Sequence, residues 1–312
     1  MAAQTTSCIL MVSPDSFAYN RETAGSNSFQ NKPELEVDAL RKKALEEFNG
    51  MTQKLTGEGI DVLVLSNDTE VEVPDAVFPN NWFATYEDGT VMLFPMLSEN
   101  RRLERSRDDI TEVMESSGFK ITRFIDYSEY EKQGLILEGT GSLVLDRKNN
   151  AAFAIESERT NRLLFDRYCD EMKIPVGNRV FFNANDENGN PIYHTNVIMS
   201  IGDGFAVICS ECIESGQRRE VLGKLRDLGL EVIDITYNQL KNFCGNILNV
   251  KNVKGESSIV LSASAMWNFE DRQIEILQKY GRLIEVSINT IESVGGGSAR
   301  CMMAEIFLPK AG

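Results

Sequence analysis

Apolar and polar residues follow a pattern that recurs five times along the chain. Five stretches carry apolar side chains at helical spacing and charged residues on the opposite face. They predict helices at residues 35–48, 100–116, 159–172, 217–228 and 271–280. Each is followed by an apolar run typical of a buried strand: "IDVLVLS", "FKITRFI", "NRVFFNA", "LEVIDIT" and "RLIEVSI".

A second element, two short strands around a turn, precedes each of the last four helices. The turns are indicated by the pairs Asp88-Gly89, Asn149-Asn150, Asp203-Gly204 and Lys254-Gly255. The first strand, "SCILMVS", and the last, "RCMMAEIFL", can pair to complete a fifth unit. We therefore predict an α/β fold of five strand, strand, helix, strand units, closed into a ring, since closure removes exposed sheet edges.

An ordinary mixed α/β domain is the alternative fold, because regular alternation also fits a doubly wound sheet. No glycine-rich phosphate loop follows the first strand, which disfavours a dinucleotide-binding fold. No linker or low-complexity tract divides the chain, so residues 1–312 are predicted to form a single domain. The polar segment 13–32 is too long for a simple connector, and loops of this size often cover binding sites.

Charge and cysteine content narrow the functional class. The chain has 47 acidic and 32 basic residues, a net charge of -15, which disfavours nucleic acid and anionic membranes as partners. The apolar runs are too short to span a membrane, and the first has no basic leader. Six dispersed cysteines are typical of reduced thiols, so a cytoplasmic location is expected. "CSEC" at 209–212 lacks a second pair for zinc and is interpreted as a strand end.

Five polar residues open the repeated hairpins at nearly equal intervals. They are Asn81, Glu138, His194, Asn246 and Cys301, separated by 57, 56, 52 and 55 residues. In a pseudo-symmetric ring, equivalent positions surround one axis. A carboxylate, the only histidine of the chain, a thiol and two amides are therefore expected to meet at one site, as catalysis requires.

Four motifs extend this hypothesis: "FPNNWFATYEDG", "LEGTGSLVLDR", "YHTNV" and "GGGSARCM". Together they resemble the guanidino-group-modifying enzymes, which include arginine deiminases, agmatine deiminases, dimethylarginine hydrolases and amidinotransferases. The resemblance is greatest to bacterial arginine-deiminase-related or amidinotransferase-like proteins, some of which are citrulline-utilisation hydrolases. It covers nearly the whole chain and implies a five-bladed α/β propeller, the pentein fold.

The residue types fit covalent hydrolysis of a poorly electrophilic carbon. Cys301 is the candidate nucleophile, and His194 is the candidate acid and base near neutral pH. Glu138 would hold the imidazole or a substrate N–H group through a charge-assisted hydrogen bond. The glycines at 295–297 and those beside Glu138 would let the backbone approach a small planar group. Neither a cofactor nor a metal is expected.

Departures from the family pattern point to the substrate. Asn80 and Asn81 stand where relatives that act on cationic guanidino groups commonly have an aspartate, and Asn196 stands where arginine deiminases have a second acid. We expect Asn196 to lie on the same strand face as His194. Amides can donate to and accept from a neutral ureido group. Gly296 replaces an arginine that often binds the substrate carboxylate, for which Arg300 is a candidate substitute.

The best hypothesis is thus hydrolysis of citrulline to ornithine, ammonia and carbon dioxide through an S-carbamoyl-cysteine. An arginine deiminase or amidinotransferase acting on a guanidino substrate is the first alternative. A non-catalytic propeller that binds a partner, as in the ribosome anti-association factors, is the second. The expected partner is a small ureido or guanidino molecule, and the sequence leaves open whether the protein forms a homo-oligomer.

Overall fold

A computed structural model describes residues 2–66 and 71–311. Within these ranges the five longest helices, each of ten residues or more, follow the predicted order. These helices and shorter ones between them are α1 (Val37–Gly57), α2 (Glu99–Arg102), α3 (Arg107–Ser116), α5 (Arg162–Glu171), α7 (Ser215–Asp227), α8 (Tyr237–Lys241), α9 (Ala263–Asn268), α10 (Asp271–Tyr280) and α11 (Asn289–Gly295). Two single-turn helices, α4 (Gly139–Ser142) and α6 (Thr195–Ile198), precede strands.

The strands form five sheets of three strands each in the described part of the chain. The sheets comprise β1 (Cys8–Val12), β2 (Asp61–Leu65) and β15 (Ala304–Glu305); β3 (Phe83–Thr85), β4 (Thr90–Leu93) and β5 (Arg123–Asp126); β6 (Val144–Asp146), β7 (Ala151–Ile155) and β8 (Arg179–Phe182); β9 (Met199–Ile201), β10 (Phe205–Ile208) and β11 (Glu231–Asp234); and β12 (Leu248–Lys251), β13 (Ser257–Ser262) and β14 (Arg282–Val286).

Every sheet has the same topology. The first strand of each unit pairs antiparallel with the second, and the second pairs parallel with the third after a helical crossover. In the sheet that joins both ends of the sequence, Ile9 lies opposite Glu305 on one side and Val62 on the other. The prediction of an α/β fold with five such units is confirmed by these pairings, including the join between the first and last strands.

Several helix bounds differ from the predicted ones, for reasons of packing or of capping. Helix α1 continues nine residues beyond residue 48, since Met51 and Leu55 extend the buried face of the helix. The predicted helix 100–116 is two helices, because Ser106 lies in extended backbone and its hydroxyl accepts from the Asp109 N–H at 3.2 Å. Helix α5 begins three residues late, where Asn161 caps it through the Leu163 N–H.

Buried apolar side chains fill the space between the sheets and the helices. Helix α1 buries Leu40, Ala44 and Phe48 at helical spacing against strands of two sheets. Burying a side chain as large as leucine or phenylalanine contributes about 1.5–3 kcal/mol, so this packing fixes the strands on which the site depends. No helix in residues 2–66 and 71–311 is long and apolar enough to cross a membrane.

Candidate active site

The five evenly spaced polar residues all lie in tight turns just before the first strand of a sheet. Glu138 and His194 are the N-cap residues of the one-turn helices α4 and α6. The backbone N–H of Cys301 donates to the Ser298 carbonyl at 2.9 Å, which closes the turn before β15. Because the five units share one topology, these turns occupy equivalent places in the fold.

Cys301 and His194 line one small cavity, and Glu138 lies behind the imidazole. The Nε2 atom of His194 is 2.8 Å from Oε2 of Glu138, and both side chains are almost fully buried. The other carboxylate oxygen, Oε1, accepts from the Leu97 N–H at 3.0 Å. The thiol, imidazole and carboxylate named from the sequence are thus brought together.

Two carboxamides surround the sulfur of Cys301. The Nδ2 atom of Asn246 lies 3.3 Å from Sγ, and the Nδ2 atom of Asn196 lies 3.4 Å from it. The oxygen of Asn196, Oδ1, is buried without a hydrogen-bond partner in the described residues. The expectation that Asn196 shares a strand face with His194 was wrong, because residues 195–198 form the helical turn α6. The turn nevertheless aims the amide at the thiol.

Burial and charge set the protonation of the His194–Glu138 pair. Burial alone would raise the pKa of Glu138, but Arg159, the hydrogen bond to His194 and Arg101 together hold that pKa well below its usual range. Burial lowers the pKa of His194 to about 4, although Glu138 acts in the opposite direction. The imidazole is therefore neutral near pH 7. With Glu138 ionised, the Nε2 hydrogen donates to it, which leaves Nδ1 as the basic nitrogen.

Two buried arginines, missed by the sequence analysis, stand beside this pair. Arg159 Nη1 is 3.6 Å from Glu138 Oε2, and Arg101 Nη1 is 3.9 Å from the same oxygen. Arg101 also binds Glu104 through Nε at 2.8 Å and Nη2 at 3.0 Å. The charge-rich stretch 99–109 has the composition of a solvated helix face, but Arg101 in α2 and Glu104 just after it are buried, and Arg101 lines the cavity.

Asp75 is a further carboxylate of the cavity that the sequence analysis did not identify. Its Oδ2 atom accepts from Asn20 Nδ2 at 2.7 Å and from Thr23 Oγ1 at 3.2 Å. Its Oδ1 atom is buried without a partner in the described residues. Burial raises the pKa of Asp75, while Arg101 opposes this shift. The available signal was an acidic residue inside the apolar run "VEVPDAVF".

The segment 13–32 lies across the turn that carries the thiol. Asn31 N–H donates to the Ser293 carbonyl at 2.7 Å, and Asn27 Nδ2 donates to the Gly295 and Gly296 carbonyls. The cavity beneath has a free volume of about 10 Å³, room for roughly one water. Within this segment, Asn27 forms part of the cavity wall.

The glycines near the site make room for protein groups. A Cβ on Gly141 would lie 2.8 Å from His194 Nδ1 and 2.5 Å from Asn81 Nδ2. A Cβ on Gly297 would lie 2.9 Å from the Phe78 ring. Gly296 has φ +68°, in the left-handed region that favours glycine. Gly141 and Gly297 therefore leave room for neighbouring side chains of the protein itself, and not only for a bound planar group.

The remaining predicted site residues lie in different places. Asn81 lines the cavity, and its Oδ1 atom accepts from Arg101 Nη1 at 2.9 Å. Asn80 is fully buried next to it and donates to Thr140 Oγ1 at 3.3 Å. Arg300 points away from the cavity and binds Glu305 at 3.3 Å, because the turn 298–301 directs neighbouring side chains to opposite sides.

The cysteines and possible metal ligands outside this cavity add little to the site. All six cysteines are free and buried. Strand β10 ends before Cys209, as interpreted from the sequence, and Cys209 Sγ lies 3.0 Å from Cys212 Sγ. Across residues 2–66 and 71–311, no group of three or more histidine, cysteine, aspartate or glutamate side chains is arranged to hold a metal ion.

Comparisons with known proteins agree with this arrangement. The model of the family described as N,N dimethylarginine dimethylhydrolase, eukaryotic, matches residues 13–308. No curated protein matches the chain in sequence.

Solved structures of similar fold include the N-terminal domain of ArgZ bound to substrate, an arginine dihydrolase from the ornithine-ammonia cycle in Cyanobacteria. It has a TM-score of 0.73 and 17% identity, over 96% of this chain and 97% of that chain. AgrE bound to L-arginine has a TM-score of 0.72 and 18% identity, over 96% of this chain and 40% of that one. A dimethylarginine dimethylaminohydrolase adduct with S-methyl-L-thiocitrulline has a TM-score of 0.62 and 15% identity, over 97% and 100%. At these identities the likeness establishes the fold.

Proposed function

The chain belongs to the N,N dimethylarginine dimethylhydrolase family, and from this membership we propose that it is a cysteine-dependent hydrolase of a ureido or guanidino C–N bond. The resemblance to the guanidino-group-modifying enzymes is thereby confirmed. Our proposed substrate is citrulline, and the proposed products are ornithine, ammonia and carbon dioxide. Hydrolysis requires only a nucleophile, an acid-base group and water, so we expect no cofactor.

One observation supports this proposal above all others. The sulfur of Cys301 is within reach of two amide N–H donors and shares a cavity with His194, whose imidazole is held from behind by Glu138. Amide donors stabilise a thiolate, while the neutral imidazole can accept the thiol proton. A non-catalytic binding module has no need of a thiol and a base in one buried cavity, with a carboxylate behind the base to orient it.

The proposed reaction has two covalent steps. The thiol proton passes to His194, and Sγ of Cys301 attacks the ureido carbon. The bond between this carbon and the side-chain nitrogen then breaks, and the departing amine takes the proton from the imidazolium, which releases ornithine. Water next attacks the S-carbamoyl carbon while His194 accepts its proton. The C–S bond breaks, the thiol is restored, and the carbamate formed decomposes to ammonia and carbon dioxide.

The neutral groups at the sulfur favour a ureido substrate. Asn196 presents a buried, unpartnered oxygen that can accept an N–H of the substrate. Its amide nitrogen and that of Asn246 are donors that can turn to a carbonyl oxygen. No carboxylate contacts the sulfur among the described residues, so a cationic group placed there would lack a direct counter-charge.

Arg159 is our candidate for binding the anionic end of an amino-acid substrate. It lines the cavity, and its Nε atom is buried without a partner in the part of the chain described. A guanidinium suits a carboxylate because it can donate two parallel hydrogen bonds. Arg300, the residue named from the sequence, lies outside this cavity, and Asn80 and Asn81 would support the wall around Arg101.

Arginine is the second candidate substrate, and Asp75 is the observation that favours it. Asp75 lines the cavity, and its buried Oδ1 atom, without a partner in the described residues, could pair with a guanidinium. A cationic substrate would also help the thiol to ionise next to a neutral His194. Two of the structural neighbours are described as an arginine dihydrolase and as a complex with L-arginine.

Several broader expectations belong to the same proposal. We propose that the five sheets close into a five-bladed ring, the pentein propeller, within one domain of residues 1–312. The protein is expected to act in the cytoplasm, where its six cysteines would stay reduced. Displacement of segment 13–32 would admit the substrate, and assembly into a homo-oligomer stays open.

The test is a substrate panel with product identification. Purified protein is incubated separately with citrulline, arginine and agmatine, with and without an amine acceptor, beside Cys301→Ala as control. Ornithine, ammonia and carbon dioxide from citrulline alone support the proposal. Citrulline from arginine, or transfer to the amine, would replace it with the second candidate or an amidinotransferase. Equal results for Cys301→Ala and the unchanged protein would exclude both.

A further inference from the structure

A second polar cavity lies on the other side of the turns that carry the catalytic residues. It runs along the first strands of four sheets, between Leu145 of β6, Ser200 of β9, Asn249 of β12 and Glu305 of β15. The proposed reaction uses none of its side chains. The turn 298–301 separates it from the thiol, because Cys301 faces one cavity and Arg300 faces the other.

The charges of this cavity are not balanced. Arg300 is buried and binds Glu305 at 3.3 Å, so these two charges compensate each other. Arg147 also lines the cavity, with its guanidinium carbon 4.0 Å from the centre of the Phe307 ring. In residues 2–66 and 71–311, neither a carboxylate nor a hydrogen-bond acceptor contacts that guanidinium. The cavity therefore holds one more positive than negative charge.

A neutral donor in the same cavity also lacks a partner. The hydroxyl of Ser200 is buried, with 6% of the residue exposed, and makes no hydrogen bond within the described ranges. Neighbouring polar groups are satisfied: Gln4 Nε2 donates to the Leu145 and Ile201 carbonyls, and Asn249 Nδ2 donates to the Ser258 carbonyl. A buried hydroxyl without a hydrogen-bond partner is unfavourable, and a ligand with acceptor atoms would supply that partner.

We propose that this cavity is a binding site for a small oxyanion, with Arg147 and Ser200 as its donors. The free volume is about 30 Å³, and one water needs roughly 10–15 Å³, so only an ion of a few atoms fits. Bicarbonate and a short-chain carboxylate share this size and a planar edge of two acceptor oxygens, which matches the fork of a guanidinium. The carboxylate of Glu305 restricts the site to a single anion.

The experiment measures thermal unfolding of the full chain while bicarbonate or acetate replaces chloride at constant ionic strength and pH. A bound ion should raise Tm by about 2 °C at ten times its Kd, for a protein of this size. The rise should disappear in Arg147→Gln and shrink in Ser200→Ala. Whichever of the two anions produces it identifies the source.

Matched variants separate this site from other arginines. Arg107 also stacks on a ring, with its guanidinium carbon 4.1 Å from the Phe124 centre, but lies outside the cavity. Arg107→Gln should keep the rise, and so should Arg159→Gln, which alters the catalytic cavity. Absence of a rise with both anions overturns the proposal. A rise in Tm that survives in Arg147→Gln also overturns the proposal. So does a rise that disappears only in Arg159→Gln. If Arg147→Gln does not fold, an undiminished rise in the Tm of Ser200→Ala overturns the proposal.

Discussion

Replacing Glu138 by glutamine tests the charge balance of the catalytic cavity without changing its shape. Oε2 of Glu138 lies 3.6 Å from Arg159 Nη1 and 3.9 Å from Arg101 Nη1. Arg101 keeps a second partner in Glu104. Arg159 contacts no other carboxylate in the residues the structure describes, so it becomes the uncompensated buried charge.

The size of the effect follows from these distances. Two unit charges about 4 Å apart interact by about 4 kcal/mol at an effective dielectric constant of about 20. Breaking a buried ion pair by removing one partner is unfavourable by about 3–5 kcal/mol. We therefore expect the free energy of unfolding of Glu138→Gln to be about 4 kcal/mol lower near pH 7.

The pH dependence has a definite sign. The folded state lowers the pKa of Glu138, so its stabilisation is complete above the unfolded value of about 4.3 and is lost as the pH falls towards the folded pKa. The difference between the two proteins should be constant above about pH 5 and should shrink in more acidic solution. Because Glu138 also supports protonation of His194, kcat should fall about 10²–10⁴-fold.

Urea unfolding at several pH values and steady-state kinetics measure both effects. Glu131→Gln is the matched control. Glu131 also accepts a backbone N–H, from Met96 at 2.7 Å, and pairs with Arg105, but it lies outside the cavity. Its variant should lose stability and keep kcat. If Glu138→Gln unfolds like the unchanged protein and keeps kcat within a factor of two, the reasoning is refuted.

Three further substitutions test single contacts. Asn246→Ala removes an N–H donor to Sγ of Cys301, so alkylation of that thiol at pH 7 should slow about tenfold; an unchanged rate contradicts this role. Gly141→Ala would place a methyl group 2.8 Å from His194 Nδ1, so kcat should fall while circular dichroism stays native, and a variant with full activity would show that the turn yields. His194→Gln should lose less stability than the unchanged protein as the pH falls from about 6.5 to 4. Burial lowers the pKa of His194 in the folded protein to about 4, so the stabilisation from the neutral histidine of the unchanged protein is lost over this range. Equal slopes of the free energy of unfolding against pH, measured by urea unfolding, would count against this prediction.

The spacing of apolar residues predicted the main helices and strands well, because each unit buries one face of a helix and one hairpin. The bounds of helix α10 match the predicted range 271–280. The even spacing of Glu138, His194 and Cys301 predicted that they meet at one site, because repeated units place their equivalent turns at equivalent positions in the fold. These predictions depend on local pattern and repetition, both of which are visible in a sequence.

Residues outside the repeat could not be located in this way. Arg101 and Glu104 lie in a stretch whose composition is typical of a solvated surface, and only tertiary packing buries them. The predicted helix 159–172 includes Arg159, whereas in the structure the helix begins after the cap Asn161. Arg159 therefore lies outside the helix and contacts Glu138. The direction of Arg300 depends on the backbone of a single turn, which spacing along the chain does not encode.

The pairing of Ile9 with Glu305 has a consequence for how the protein is made. The strand that follows Cys301, β15 (Ala304–Glu305), completes a sheet whose other members, β1 (Cys8–Val12) and β2 (Asp61–Leu65), emerge from the ribosome much earlier. Contacts of such separation form late, because closing long loops is entropically unfavourable. The growing chain can therefore build four hairpin units while its nucleophile is still unsynthesised. Reactivity would appear only after this strand has been made, so that chains that stop before Cys301 carry no competent site.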